Sequence, residues 1–202
     1  MTASLALLPL AFSATYQLDP AHTNVGFDVT HLAITTVHGQ FKAFKGSFEF
    51  DEKTQTLKNL VVEIQTASVD TVSPDRDTHL KSPDFFDVAK YPTMKFTVKN
   101  PVKLTGQPVN GELTLHGKTL PVALNIKYNG SINMNGTPKV AFDANSKIDR
   151  TQFGMTWNKE ISGAQKPNGL ASTANKAKDM LVGNEVAINI NVEANQDTPK
   201  KK

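Results

Sequence analysis

The sequence predicts an all-β protein: an eight-stranded antiparallel up-and-down β-barrel with a short helical insertion around residues 73–91. Apolar and polar residues alternate in about eight short runs, a pattern typical of strands with one buried face. Short turns join the runs, which favours antiparallel neighbours. No long amphipathic helix is present to cover a sheet, so the apolar faces must cover one another in a closed barrel or a sandwich. Closure also removes exposed strand edges, which favours the barrel.

The predicted strands begin near Tyr16 and follow one another to residue 193. Turn signals separate them, among them Asp51-Glu52-Lys53, His116-Gly117-Lys118 and Asn135-Gly136-Thr137-Pro138. The clearest alternation comes last, where four apolar residues occupy every second position. These positions are Val186, Ile188, Ile190 and Val192.

The helical insertion is predicted from a repeated helix-start signal. Ser73-Pro74-Asp75 and Ser82-Pro83-Asp84 each combine a capping serine, a proline suited to the first helical position and an aspartate that favours the helix N-terminus. Each copy therefore predicts a short helical segment, and the second must end before Tyr91-Pro92. We expect the insertion to act as a plug carrying apolar side chains, with Leu80 among them.

The chain is predicted to form one domain, residues 15–195, between two short terminal segments. Residues 5–12 are an apolar run followed by Ser13-Ala14, which is typical of the end of a secretory signal. Residues 1–14 are thus interpreted as a signal-peptide remnant, and a periplasmic or secreted location is expected; a buried N-terminal segment is the alternative. Residues 196–202 are predicted to be a disordered basic tail.

Composition limits the function classes. The net charge is +3, and the three C-terminal lysines account for all of it, so the charge gives little support to nucleic-acid binding. The chain has no cysteine, which excludes a disulfide framework, a thiolate nucleophile and a cysteine metal site.

The interior of a small eight-stranded barrel is either filled by side chains or holds one small ligand. The inferred inner faces are strongly apolar, which suits a lipid chain and rejects a sugar, whose hydroxyls would lack partners. A filled barrel acting as an interaction or stress-response module is the alternative. The candidate ligand-binding residues are Phe27, Val29, Phe48, Ile64, Phe85, Phe86, Met94, Phe96, Leu113, Leu115, Ile126, Phe142, Phe153, Met155, Trp157, Ile188 and Ile190.

The chain has only two arginines, Arg76 and Arg150, against many lysines. A guanidinium group offers a planar fork for carboxylate or phosphate that an ammonium group does not. One hypothesis is that either arginine holds a ligand head group at a barrel end. The alternative is a structural ion pair with Asp75, Asp77 or Asp149.

Sequence signals for a metal or for catalysis are weak. The histidines lack the H-x-x-x-H spacing of a helical zinc site, so no metal is expected, although His22, His31 and His38 could converge in space. No G-x-S-x-G, P-loop or dinucleotide fingerprint is present. A non-catalytic protein is therefore expected, and a small-molecule hydrolase or isomerase is the weaker alternative.

Six segments together resemble the YceI-like family of periplasmic, lipocalin-like isoprenoid-binding proteins. The resemblance implies a lipocalin-like barrel that binds, transports or stores a polyisoprenoid, an isoprenoid quinone or a fatty-acid amide without catalysis and without another cofactor. It further implies a link to a membrane quinone or cytochrome system; a homodimer is also considered. The chain departs from the family pattern over residues 162–181. The segments are residues 19–32, 39–51, 76–96, 111–122, 149–155 and 183–190.

Overall fold

The computed structural model describes residues 13–159 and 181–197. In chain order, the elements are β1 Ala14–Leu18, β2 Asn24–His31, β3 Thr35–Phe41, β4 Phe44–Asp51, β5 Thr56–Gln65, β6 Val69–Asp70, α1 Pro74–Lys81, β7 Thr93–Val98, β8 Val102–Lys103, β9 Val109–Leu115, β10 Lys118–Met134, β11 Thr137–Asp149 and β12 Val182–Gln196. Residues 1–12 of the predicted signal remnant, residues 162–180 of the segment that departs from the family pattern, and residues 198–202 of the predicted tail lie outside the described residues.

The strands close into an antiparallel barrel of eight staves, as predicted. Four staves are each divided into two strands: β1 with β2, β3 with β4, β5 with β6, and β7 with β8. Pairing then runs through β7, β9, β10, β11 and β12. The ring closes because β12 pairs with both β1 and β2.

Strand register places the apolar residues on the inside of the barrel. Val25, Ile190, Ala144 and Ile126 are partners in one row across four adjacent staves. The neighbouring row contains Asn189, Asn145 and Asn125, and the Asn125 amide donates to the Asn145 amide oxygen at 3.0 Å. This inside–outside alternation follows from the two-residue period of a strand.

One end of the barrel is sealed by aromatic rings. Tyr16 and Phe50 are each only 1% exposed. The ring of Phe50 lies 5.0 Å from that of Phe142 and 5.1 Å from that of Tyr128, centroid to centroid, and Tyr16 stacks on Phe48 at 5.6 Å. Aromatic contacts in this range add to the free energy gained by burial. We call this the closed end.

The carboxylate of Glu52, in the turn between β4 and β5, completes the closed end. It accepts hydrogen bonds from the hydroxyls of Tyr16 and Tyr128, both at 3.1 Å, and from Ser131. Burial, followed by the nearby Glu52 charge, raises the pKa of Tyr16 to about 12. Tyr16 is therefore a neutral hydrogen-bond donor at physiological pH.

The helical insertion lies at the opposite end, and it holds one helix where two were predicted. α1 begins with Pro74 at its first turn, although the Ser73 side chain makes no capping hydrogen bond. The second signal is followed by turns, because the N–H groups of Phe85 and Asp87 both donate to the carbonyl of Ser82. The prediction of a second helix was wrong: these turns bury Phe85 in the barrel interior, and that packing outweighs the local signal.

Three tight turns join neighbouring strands, and all have two central residues with positive φ. Two of them use glycine, namely His116-Gly117 and Asn135-Gly136. The third, between β2 and β3, has Leu32 at φ 54° and Ala33 at φ 60°. Type I′ turns normally select Asn-Gly at these positions because residues with a Cβ are strained there. Leu32-Ala33 is therefore a costly choice for this hairpin.

Candidate functional site

An apolar cavity runs through the barrel between the closed end and the insertion. The cavity volume is about 210 Å³. The inner faces of all eight staves form the wall, and the insertion supplies three side chains at the end opposite the closed end. These three side chains are Leu80, Phe85 and Phe86.

Every candidate ligand-binding residue lies on the cavity wall except Phe153 and Trp157. Phe153 is buried in the core beside the cavity. Trp157 does not line the cavity, and its ring packs against that of Phe85 at 5.2 Å between centroids. Whether the wall residues contact a ligand stays a prediction.

The wall also includes residues that were not chosen from the sequence. Most belong to the same alternating stripes, so the two-residue period could have identified them. Phe41 and Leu57 lie next to turns, and Val182 is the first residue of β12, so the alternation within a strand does not identify them. The additional wall residues are Leu18, Thr23, Val25, Gly26, Phe41, Leu57, Leu60, Val62, Leu80, Val122, Leu124, Ala144, Ile148, Val182, Val186 and Val192.

The open space adjoins β2 and β12. Phe27, Val29, Val186 and Ile188 point into the barrel yet are only half-buried. Inward residues on the opposite staves β7 and β9, such as Phe96 and Leu113, are almost fully buried. A hydrocarbon placed against β2 and β12 would therefore remove apolar surface from water, at about 25 cal/mol per Å².

A glycine allows the Phe27 ring to lie flat against the wall. Gly39 is the cross-strand partner of Phe27, and a Cβ added at Gly39 would lie 2.2 Å from the ring. The ring thus covers the backbone of β3 and leaves the centre of the barrel free. A Cβ added at Gly111 would likewise lie 2.3 Å from the ring of Phe96, so this glycine also leaves room for the ring.

Among the described residues, only two polar side chains reach the cavity wall, and both already have hydrogen-bond partners within the protein. The Thr23 hydroxyl donates to the carbonyl of Glu193 and accepts from its N–H. Arg150 is the other. The described wall therefore has no side-chain hydrogen-bond donor left for a sugar or a peptide, whose polar groups would be buried without partners.

Arg150 is 3% exposed, and its guanidinium group is surrounded by carbonyl oxygens. Nε donates to Gly183 at 2.9 Å; Nη1 donates to Met155 at 2.6 Å and to Trp157 at 3.0 Å. Nη2 bonds to the Val182 carbonyl and the Asn184 side chain. All five N–H groups are thus used, so none is free to hold a ligand head group.

No described carboxylate forms an ion pair with Arg150, so the structure does not show the ion-pair alternative for this residue. Loss of hydration on burial lowers the pKa of the guanidinium group, and the nearby Asp149 charge partly opposes this. The carbonyl dipoles replace water around the cation. The role shown is structural: Arg150 joins the segment after β11 to the start of β12.

Arg76 lies away from the cavity. Its Nε and Nη2 donate to the hydroxyl and the carbonyl of Thr71, each at 2.7 Å. Asp77 accepts from the N–H and the hydroxyl of the same threonine. Arg76 therefore fixes the loop before α1 through Thr71, and it forms no ion pair among the described residues.

The predicted absence of a metal can be compared with one cluster. Asp19, His22 and Glu193 have ligand atoms within 4.8 Å of one another, whereas His31 and His38 are not in this group. The Lys139 ammonium lies 2.6 Å from Glu193 and 3.6 Å from Asp19. A cation from the protein itself already pairs with both carboxylates, and the cluster joins β11, β12 and the β1–β2 bend.

Comparison with known proteins agrees with this architecture. The YceI-like domain matches residues 16–194, which include almost the whole barrel. The chain belongs to the YceI-like domain family. The YceI protein of Escherichia coli is 39% identical over 150 residues, covering 72% of this chain and 78% of that protein. A UPF0312 protein of Pseudomonas syringae pv. tomato is 38% identical over 151 residues, with the same shares covered.

Solved structures show the same barrel. The Campylobacter jejuni YceI protein is 33% identical with a TM-score of 0.65, over 90% of this chain and 97% of that one. A polyisoprenoid binding domain from Saccharophagus degradans has a TM-score of 0.64 at 16% identity, over 92% and 100% of the two chains. At that identity the likeness shows the fold alone. In the described part of this YceI-like chain, no helix is long and apolar enough to cross a membrane.

Proposed function

We propose that this YceI-like protein binds the hydrocarbon tail of a long-chain amphiphilic lipid, and carries or stores it without catalysis. The observation that supports this most is the cavity wall, which is apolar on every stave and leaves no polar side chain unsatisfied. A bare hydrocarbon fits such a wall because it demands no hydrogen bond. A polyisoprenoid, an isoprenoid quinone and a fatty-acid amide all meet this requirement.

The polar head group belongs outside the cavity in this proposal. The closed end is filled by aromatic rings, so the tail enters from the end that carries the insertion. Since Arg150 has no free N–H, the head would lie beyond it and meet solvent. A periplasmic or secreted location and a link to membrane quinones fit such a carrier and remain part of the proposal.

The first test is chemical. Purified protein is extracted with organic solvent, and the extract is examined by mass spectrometry for a lipid in a fixed ratio to protein. A stoichiometric amphiphile with a long hydrocarbon tail supports the proposal and identifies the ligand. A clean extract, together with no binding of added all-trans-retinol, a fluorescent isoprenoid, would favour the filled-barrel interaction module.

A matched pair of alanines makes the test specific to the cavity. Ala144 lies on the cavity wall, and Ala123 is exposed on the outside of β10. Ala144→Phe should reduce retinol binding by roughly tenfold or more, because the added ring occupies the space of the tail. Ala123→Phe should bind like the wild type. Equal binding by both variants would place the ligand elsewhere.

A further inference from the structure

Exposed large apolar side chains occur at both ends of the described barrel. At the end with the insertion they are Leu32, Ile34 and Val72, which are 36%, 68% and 91% exposed. At the opposite end, on the hairpin between β10 and β11, they are Ile132 and Met134, 59% and 53% exposed. The first three we call the apolar rim.

The backbone presents the apolar rim at a conformational cost. Leu32 and Val72 both have positive φ, 54° and 61°, which is unfavourable for leucine and more so for a β-branched valine. The opposite hairpin turns through Asn135-Gly136, where the same geometry is relaxed. The rim thus keeps apolar side chains where the usual turn residues would fold more easily.

Hydrogen bonds hold the two rim loops in place. The N–H of Leu32 donates to the carbonyl of Leu181 at 2.9 Å, which fixes the β2–β3 hairpin to the start of β12. The N–H of Val72 donates to Asp70, and the neighbouring Thr71 is held by Arg76 and Asp77. Exposure at the rim therefore reflects a set conformation of both loops.

Two residues of the cavity wall lie close to the hairpin of the rim. Val29 and Val182 line the cavity and lie within three residues of Leu32 along β2 or across its pairing with β12. At the closed end the buried rings of Tyr16 and Phe50 separate Ile132 from the cavity. Of these two groups of described exposed apolar residues, the rim lies at the end where a lipid tail would enter.

We propose that the apolar rim inserts into the surface of a lipid bilayer, so that a lipid tail passes between the bilayer and the cavity without crossing water. This rests on the proposed function. A tail that the cavity accepts is insoluble in water, so its source or destination is another apolar phase, and a bilayer is the one of matching chemistry.

Charges near the rim favour insertion over electrostatic attraction. The Lys42 ammonium is paired with Asp70, so it is not free to attract an anionic surface. Binding should therefore depend mainly on apolar burial and change little with salt, unlike binding through a basic patch.

The test compares two double variants of the full chain. Ile34→Glu/Val72→Glu places carboxylates on the rim, and Ile132→Glu/Met134→Glu places the same number on the closed end. Vesicles of phosphatidylethanolamine and phosphatidylglycerol are used in flotation, and retinol transfer to these vesicles is followed by fluorescence. The rim variant should bind vesicles roughly tenfold more weakly and transfer retinol more slowly, while the closed-end variant behaves like the wild type.

Equilibrium retinol binding without vesicles separates this proposal from the proposed function. It should be unchanged in the rim variant, and its absence in the wild type would contradict the proposed function alone. Wild-type protein that holds retinol yet does not float with vesicles would overturn the rim proposal, as would equal flotation of both variants. Self-association that the rim variant abolishes, without vesicle binding, would assign the rim to a second copy of the chain and also overturn it.

Discussion

At the scale of single residues, Arg150 illustrates how a buried charge can serve structure alone. Its five N–H groups satisfy oxygens from two stretches of chain, residues 155–157 and 182–184, that are far apart in sequence. The scarcity of arginine in the sequence correctly marked the residue as unusual. It did not reveal the acceptors, because main-chain carbonyls leave no trace in side-chain identity.

Arg150→Lys should lower the free energy of unfolding by about 3 kcal/mol, because an ammonium group cannot reach all five acceptors and several buried carbonyls lose their donor. Urea unfolding measures the change. Arg76→Lys is the control: Arg76 is exposed and donates to Thr71 only, so a loss within about 1 kcal/mol is expected. Retinol binding should persist in both; its selective loss in Arg150→Lys would restore the head-group role.

At the scale of elements, the sequence predicted the structure best where a single physical effect determined the local conformation. The alternation along β12 predicted both the strand and its inward residues. The two serine–proline–aspartate signals were locally equivalent, yet only the first opens a helix. Burial of Phe85 decided the second, and burial depends on the rest of the barrel, which a local signal does not contain.

The turn between β2 and β3 offers a direct test of its strain. Replacing Leu32-Ala33 by Asn-Gly should stabilise the protein by about 1 kcal/mol, because Asn-Gly adopts positive φ without a Cβ penalty at the second position. The reciprocal change, Asn135-Gly136→Leu-Ala, should destabilise it by a similar amount. Urea midpoints of the two variants give the answer; movement of both in the same direction would argue against strain in the turn.

At the scale of the whole molecule, the barrel was predictable from the apolar faces of the strands. Each strand has one such face, and closing the sheet lets these faces bury one another. Whether it is hollow was not predictable, since the same alternation describes a filled and an open interior. The decision lies in details such as the close approach of Phe27 to Gly39. This contact joins residues on different strands and depends on the rotamer of Phe27, and the alternation pattern specifies neither.

The closed end makes the stability of the barrel sensitive to high pH. Because the pKa of Tyr16 is raised from 10.0 to about 12, the folded state keeps the proton that the unfolded state releases. The contribution of Tyr16 to the free energy of unfolding is therefore fully present below pH 10 and should be lost as pH rises from 10 to 12. Urea unfolding across this range measures it, and Tyr16→Phe should flatten the fall. An equal fall in wild type and variant would assign the effect to other groups.

Because the cavity is closed at one end, its depth sets the length of the hydrocarbon tail that fills it. The wall of β12 runs from Val182 to Val192, which at about 3.3 Å per residue and a usual barrel tilt gives a depth of roughly 25 Å. A shorter chain would leave the bottom unfilled, and a longer one would have to coil or protrude. The position of Tyr16 and Phe50, rather than any polar contact, would then choose among lipids that differ only in their number of carbons.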